Sequence, residues 1–117
     1  MYSDMYYLRS MEKKTSPTFR AKVYSIVHTI PKGKVMTYGQ VATLAGSPKA
    51  ARAVGMCMST NTDTATVPCH RVVASNGELT GYAFGDGILT KMELLKGEGV
   101  KFKGNRVDLS ISLLENS

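Results

Sequence analysis

The chain has 117 residues, of which 43% are hydrophobic and 21% charged, with two cysteines and a formal net charge of +6 at neutral pH. This is the length of one ordinary domain, and the composition is that of a folded protein rather than a disordered one. The apolar stretches are much shorter than the roughly 20 residues of a membrane span, and two cysteines are too few for a disulfide scaffold. We therefore expect one intracellular domain with reduced thiols and no membrane partner.

The positive charge is concentrated in the first two thirds of the chain. Residues 1–72 contain ten Lys and Arg against three acidic residues, whereas residues 73–117 contain five against six. Such a distribution is typical of proteins that bind nucleic acid, but a solvated basic surface without a partner has the same composition. Charge alone leaves both interpretations open.

A first helix is predicted after an N-terminal arm of residues 1–15. Ser16 is the predicted N-cap, and Pro17 suits the first helical position because its missing N–H would be unpaired there anyway. Apolar side chains follow at helical spacing from Phe19 to Ile30, and the turn at residues 31–34 ends the helix. We assign residues 16–110 to one domain and residues 111–117 to a tail.

Two short helices are predicted next. Thr37 and Gln40 have the spacing of a capping box, and Gly46 ends the helix that they begin. Ser47 then caps a second helix, which runs from Lys49 to Met58. Two short helices joined by a glycine turn are typical of a helix-turn-helix, although a purely structural helix pair has the same pattern.

The remaining segments predict small β elements and one more helix. The β-rich segment 67–73 precedes a turn at 75–78, and residues 81–85 form a glycine-bounded aromatic loop. Apolar spacing predicts a helix over residues 88–97, and a turn at 104–105 predicts a hairpin within residues 100–109. The predicted fold is therefore mainly α with small β pieces.

Cys69 is the candidate nucleophile. A thiolate is the reactive form of cysteine, and a histidine such as His70 can remove the thiol proton if it lies within direct or water-mediated reach. Neighbouring side chains of an extended strand point in opposite directions, so this pair needs a bend or an intervening water. A structural cysteine beside a hydrogen-bonded histidine is the alternative.

A metal site is not expected. The soft ligands of the chain have spacings that match no zinc pattern, and they are Cys57, Cys69, His28 and His70. Cys57 lies between two methionines of a predicted helix, which indicates a core residue.

Together these motifs resemble the O6-alkylguanine-DNA alkyltransferases, DNA-repair proteins that accept an alkyl group on a cysteine. The resemblance runs from about Phe19 to Val100 and rests on five motifs in the same order, at residues 37–40, 50–55, 68–71, 80–83 and 94–99. It implies a winged helix-turn-helix-like alkyltransferase C-terminal domain that binds double-stranded DNA through the minor groove and flips O6-alkylguanine out of the stack.

The resemblance also implies the roles of the catalytic residues. Cys69 would accept the alkyl group, His70 would deprotonate it through a water, and Glu98 would orient His70. Asn61 would order the loop before the cysteine. Tyr38 would rotate the nucleotide by pressing on its 3′ phosphate and would then donate a proton to the leaving guanine.

In the same resemblance, Arg52 would fill the space that the flipped base leaves. The further DNA-contacting residues would be Tyr38, Gly39, Ser47, Lys49, Ala51 and Ser75. Those that line the base pocket would be Met58, Val72, Tyr82 and Ala83.

Two functions remain open at this point. The first is single-turnover transfer to Cys69 by a monomer that needs no cofactor, located with the DNA in the cytoplasm of a prokaryote or the nucleus of a eukaryote. The second is a lesion sensor that recruits excision-repair proteins. The chain resembles the alkyltransferase-like sensors in length, but those proteins generally replace the acceptor cysteine, whereas Cys69 is present here.

Overall fold

The computed structural model describes residues 18–80 and 85–115, and its helices and strands are short. In chain order they are α1 (Phe19–His28), β1 (Met36–Thr37), α2 (Tyr38–Leu44), α3 (Ala51–Ser59), a 3-10 turn (Cys69–Arg71), β2 (Val72–Val73), α4 (Ile88–Gly97), β3 (Phe102–Lys103), β4 (Arg106–Val107) and α5 (Leu109–Ser112). The predicted mainly α fold with small β pieces is confirmed. In the described ranges, every helix is too short or too polar to cross a membrane.

α1 begins two residues later than predicted. Its N-cap is Thr18, which has an extended backbone and whose side-chain Oγ1 accepts a hydrogen bond from the N–H of Ala21 at 3.1 Å. The prediction of Ser16 as the N-cap was therefore wrong, because a second hydroxyl residue lies closer to the apolar face. Ser16 and Pro17 themselves, like the arm 1–15, lie outside the described residues.

The capping box of α2 is confirmed. The Gln40 N–H donates to Thr37 Oγ1 at 3.1 Å, and the Thr37 N–H donates to Gln40 Oε1 at 2.9 Å. This reciprocal pair satisfies two N–H groups that a helix start leaves free. It also fixes Tyr38 as the first residue of the helix.

α3 begins later than predicted. Ser47 does not cap it, because the Ser47 carbonyl instead accepts the N–H of Ala50 at 2.9 Å and closes a turn. Ala50 is the N-cap and makes no side-chain capping bond, so the helix starts at Ala51. Lys49 consequently belongs to the turn between α2 and α3, and Arg52 lies in the first turn of α3.

Two buried clusters hold the elements together. One joins α1, α2 and α3 to the segment around Cys69, and its fully buried members include Val23, Val27, Val41, Val54 and Val72. The other lies under α4 and the β3–β4 hairpin and includes Val35, Val73, Leu79, Leu95 and Val107. β1 and β2 pair in parallel and connect the start of α2 with the segment that follows Cys69.

The segment 67–73 is only partly a strand. Backbone bonds from Cys69 N to Val67 O at 2.8 Å and from Arg71 N to Pro68 O at 2.9 Å close a 3-10 turn before Val72. The sequence required a bend or an intervening water between Cys69 and His70, and the backbone bends at this point. This turn supplies the bend between their side chains that an extended strand lacks.

The C-terminal hairpin is confirmed, with Phe102 opposite Val107. α5 follows it and crosses the boundary at residue 110 that the sequence suggested for the tail. The Leu114 N–H donates to Val35 O at 2.8 Å, and the Val35 N–H donates to Ser112 O at 2.9 Å. Residues 111–114 are therefore attached to the domain by backbone hydrogen bonds.

A substitution at Gly77 tests the contact between the turn after β2 and the β3–β4 hairpin. Its φ is +88°, and a Cβ at this position would overlap the carbonyl oxygen of Val107. We expect Gly77→Ala to lower the free energy of unfolding by about 1–3 kcal/mol, measured by urea denaturation. Gly55→Ala is the control, because a Cβ there meets nothing within 4 Å and should stabilise α3 by roughly 0.5–1 kcal/mol. Equal effects of the two substitutions would contradict this account.

Candidate active site

Cys69 lies at the start of the 3-10 turn with only 2% of its surface exposed. Asn61, which is equally buried, donates from Nδ2 to Val67 O at 2.9 Å and accepts the Asp63 N–H on Oδ1 at 2.9 Å. These two bonds join the ends of the loop between α3 and the cysteine. The structure thus places Asn61 where it orders the approach to Cys69.

His70 and Glu98 meet although they are 28 residues apart in the sequence. His70 Nε2 lies 2.9 Å from Glu98 Oε2. Glu98 is the C-cap of α4, and α4 packs on the 3-10 turn. Among the hydrogen bonds of residues 18–80 and 85–115, none joins Cys69 Sγ directly to His70.

Arg71 binds the same carboxylate. Its Nε donates to Glu98 Oε1 at 2.9 Å and its Nη2 donates to Oε2 at 2.7 Å, while Nη1 donates to the Ile30 carbonyl at 2.6 Å. The motif containing Arg71 was recognised in the sequence, but no role was assigned to this side chain.

Tyr38 and a buried lysine converge on one carbonyl group. Tyr38 Oη donates to Thr80 O at 3.0 Å, and Lys91 Nζ donates to the same oxygen at 2.8 Å. Lys91 Nζ also lies 3.5 Å from Tyr38 Oη. Lys91 is only 1% exposed and was missed in the sequence. The sequence did contain an indication: Lys91 lies one turn before Leu95, on the apolar side of α4. A lysine at such a position is buried, and a buried lysine is rare unless its charge has a role.

The electrostatics favour a protonated thiol at rest and a neutral histidine. Burial raises the pKa of Cys69, while the hydrogen bond from Asn61 and the charge of Lys91 act in the opposite direction. Burial lowers the pKa of His70 below its ordinary value despite the Glu98 carboxylate. A neutral imidazole can accept a proton, so His70 is available as a general base at neutral pH.

Burial also shifts the two groups at Thr80. It raises the pKa of Tyr38 and lowers the pKa of Lys91 to about 8. The Tyr38 phenol therefore keeps its proton at neutral pH and can donate it.

Apart from Ser75, the residues predicted to contact DNA lie on α2, on α3 and on the turn between them. Arg52, Lys49 and Ser75 are exposed, whereas Gly39 and Ser47 are partly buried. Ala51 is the first residue of α3. Ser75 lies in the turn after β2, and the β1–β2 pair links that turn to the start of α2.

The predicted pocket residues are only partly described. Met58 and Val72 are buried in the same cluster as Cys69, whereas Tyr82 and Ala83 lie outside the described residues. Within residues 18–80 and 85–115, no three His, Cys, Asp or Glu side chains form a group that could hold a metal ion. Cys57 is buried in α3, and His28 Nδ1 lies 2.8 Å from Thr66 O.

Lys91 provides a test through the pH dependence of stability. Its pKa in the folded chain, about 8, is below the ordinary value of 10.5. The unfolded chain therefore binds more protons between these values, and stability rises with pH across that window. In a Cys69→Ser background, we expect Lys91→Met to raise the free energy of unfolding at pH 7 by up to about 3 kcal/mol, with the gain shrinking towards pH 10. Lys96→Met, at an exposed position of α4, is the control; a gain that does not depend on pH would contradict the buried charge.

Comparison with known proteins identifies the family. Residues 18–100 match the family described as "6-O-methylguanine DNA methyltransferase, DNA binding domain". The methylated-DNA–protein-cysteine methyltransferase of Methanosarcina acetivorans is 45% identical over 95 residues, which cover 79% of this chain and 60% of that protein. The chain spans between 28% and 60% of the length of the curated relatives that it matches.

Two solved structures show the same fold with DNA bound. S. pombe Atl1 in complex with damaged DNA containing O6-carboxymethylguanine has a TM-score of 0.73 and 31% identity, and the match covers 88% of this chain and 100% of that one. Mycobacterium tuberculosis OGT in complex with DNA has a TM-score of 0.65 and 41% identity, covering 73% and 52% of the two chains.

The order of the motifs, the structural likeness and the match over residues 18–100 agree, and the chain belongs to the 6-O-methylguanine DNA methyltransferase family through its DNA-binding domain.

Proposed function

We propose that this protein repairs DNA by irreversible transfer of an alkyl group from O6-alkylguanine to Cys69. The observation that carries this proposal is the set of groups around Cys69: a neutral histidine held by a carboxylate, and a buried ammonium. The names of the curated relatives, which describe transfer to a protein cysteine, support the same function.

The transfer is a displacement at the alkyl carbon. His70 takes the thiol proton through a water, and the charge of Lys91 stabilises the resulting Cys69 thiolate. The thiolate then attacks the alkyl carbon. A sulfur–carbon bond forms, the bond from carbon to O6 breaks, and its electron pair passes to the guanine. Tyr38 then supplies a proton to the guanine. The thioether product has no bond that water readily cleaves, so each molecule acts once.

DNA binding would use the α2–α3 pair. Flipping a base out of the stack costs a few kcal/mol, and Arg52 is exposed in the first turn of α3, where it can enter the vacated space. The excess of basic residues before residue 73 supplies attraction to phosphates that does not depend on sequence. A minor-groove protein distinguishes bases poorly, which suits a search for damage in any sequence.

A non-catalytic lesion sensor is the second candidate. The likeness to S. pombe Atl1, whose solved structure holds damaged DNA with an O6-carboxymethylguanine, extends over the whole of that chain and favours this candidate. The raised pKa of Cys69 also favours it, because a buried thiol that keeps its proton is a poor nucleophile. The two candidates differ in what happens to Cys69 after the lesion is bound.

The direct test is the intact mass of the protein after incubation with a duplex that carries one O6-methylguanine. We expect the mass to increase by one methyl group, located on Cys69, and to stay unchanged in Cys69→Ala. Tight binding of the damaged duplex with no change in mass would overturn the proposal in favour of the sensor.

Binding and chemistry should also separate by residue. In the Cys69→Ala background, which leaves the lesion intact, we expect the damaged duplex to bind tightly, and we expect added Arg52→Ala to weaken that binding about tenfold because the vacated space is left empty. Lys22→Ala, which removes an exposed charge from α1, controls for general attraction to DNA. Fluorescence anisotropy at one fixed salt concentration measures all three, and an equal loss from Arg52→Ala and Lys22→Ala would contradict the role of Arg52.

A further inference from the structure

The 3-10 turn brings two consecutive side chains to one carboxylate. His70 and Arg71 both reach Glu98 Oε2, at 2.9 and 2.7 Å, and Arg71 also holds Oε1 at 2.9 Å. In an extended strand these side chains would point to opposite faces, so the shared contact depends on the turn. Glu98 therefore accepts three hydrogen bonds from a single dipeptide.

All three nitrogens of the Arg71 guanidinium donate hydrogen bonds, two of them to Glu98. The third nitrogen donates to the Ile30 carbonyl, just beyond α1, at 2.6 Å. The side chains of Arg71 and Glu98 are only 12% and 15% exposed. A planar guanidinium with two parallel bonds to a carboxylate fixes both the position and the rotation of that carboxylate, which a single histidine contact cannot do.

We propose that Arg71 is a positioning residue, which holds Glu98 in the orientation in which it accepts a hydrogen bond from His70 Nε2, so that the free nitrogen of the ring is directed away from Glu98. This inference rests on the proposed function, because it gives a purpose to the His70–Glu98 pair. It adds a residue to the proposed transfer mechanism without assigning it a contact with the substrate.

The hydrogen bonds explain which nitrogen is free. The Glu98 carboxylate is ionised at neutral pH: burial alone would raise its pKa, but the bonds from Arg71 and His70 outweigh burial and lower it. An ionised carboxylate can only accept hydrogen bonds, so neutral His70 carries its proton on Nε2. Nδ1 is then the atom that can accept the thiol proton.

The charge of Arg71 has a second effect. The charged groups that face His70 are Glu98 at the end of α4, Lys91 within α4 and Arg71 of its own turn, and Cys69 is the neighbouring titratable group. Glu98 favours the protonated imidazole, whereas Arg71 and Lys91 oppose it. Without Arg71, the carboxylate would act on His70 with less compensation and would favour the charged ring, which cannot serve as a base.

The test is an NMR titration of the His70 ring in Arg71→Gln, made in the Cys69→Ala background without DNA. We expect the His70 pKa to rise above that of the parent, because the Glu98 charge is less compensated, and the Nε2–H form to lose part of its population at high pH, because Glu98 is no longer held in place. Lys96→Gln removes an exposed cation from the last turn of α4 and should leave His70 unchanged. In the chain that retains Cys69, Arg71→Gln should slow transfer more at pH 6 than at pH 8, because more His70 is protonated at pH 6. The rate at pH 6 divided by the rate at pH 8 should fall about threefold or more.

The outcomes separate positioning from a merely structural role. An unchanged or lowered His70 pKa in Arg71→Gln, or an equal loss of rate at both pH values, overturns the proposal. If Arg71→Gln does not fold, Arg71→Lys decides: it keeps the charge but loses the two parallel bonds, so the His70 pKa should stay that of the parent while the rate falls equally at both pH values. A shifted pKa or an unchanged rate in Arg71→Lys also overturns it. The titration needs no transfer activity, so its result is independent of whether the proposed function holds.

Discussion

The Glu98 carboxylate is the interaction on which the site depends. Through Arg71 it connects the end of α4 to the carbonyl that follows α1, and through His70 it fixes the base beside Cys69. Breaking a partly buried pair of this kind leaves a charge without its partner, which costs much more than losing an exposed ion pair. The same carboxylate therefore contributes to the packing of the domain and to the orientation of His70, the proposed base.

Lys91, unlike Glu98, lowers the stability of the domain while serving the proposed function. A buried ammonium costs folding free energy, and its lowered pKa records that cost. Its charge acts on Cys69 and its Nζ lies 3.5 Å from Tyr38 Oη, so under the proposed transfer it would stabilise the thiolate. In this account the domain sacrifices some stability so that a charge is available inside the site.

Local patterns in the sequence predicted the structure best. The Thr37–Gln40 capping box and the C-terminal hairpin depend on residues a few positions apart, and both are confirmed. Ser47 failed as a cap because serine before proline forms a turn as readily as it starts a helix. The 3-10 turn was not predicted, because the valines on both sides of it favour a strand.

Distant contacts could not be predicted from spacing. The pairing of His70 with Glu98 was expected only through the resemblance to alkyltransferases, since nothing in a single sequence relates residues on separate elements. Lys91 and Arg71 went unassigned because their importance comes from burial and from shared partners, which appear only when α4 is packed on the turn at Cys69.

The central claim is that Cys69 performs one transfer and then stops. The most direct measurement is the amount of guanine restored when O6-methylguanine DNA is present in large excess over the protein. We expect a plateau at one guanine per protein molecule, which additional time does not raise. No restored guanine, or continued turnover beyond one per molecule, would contradict it.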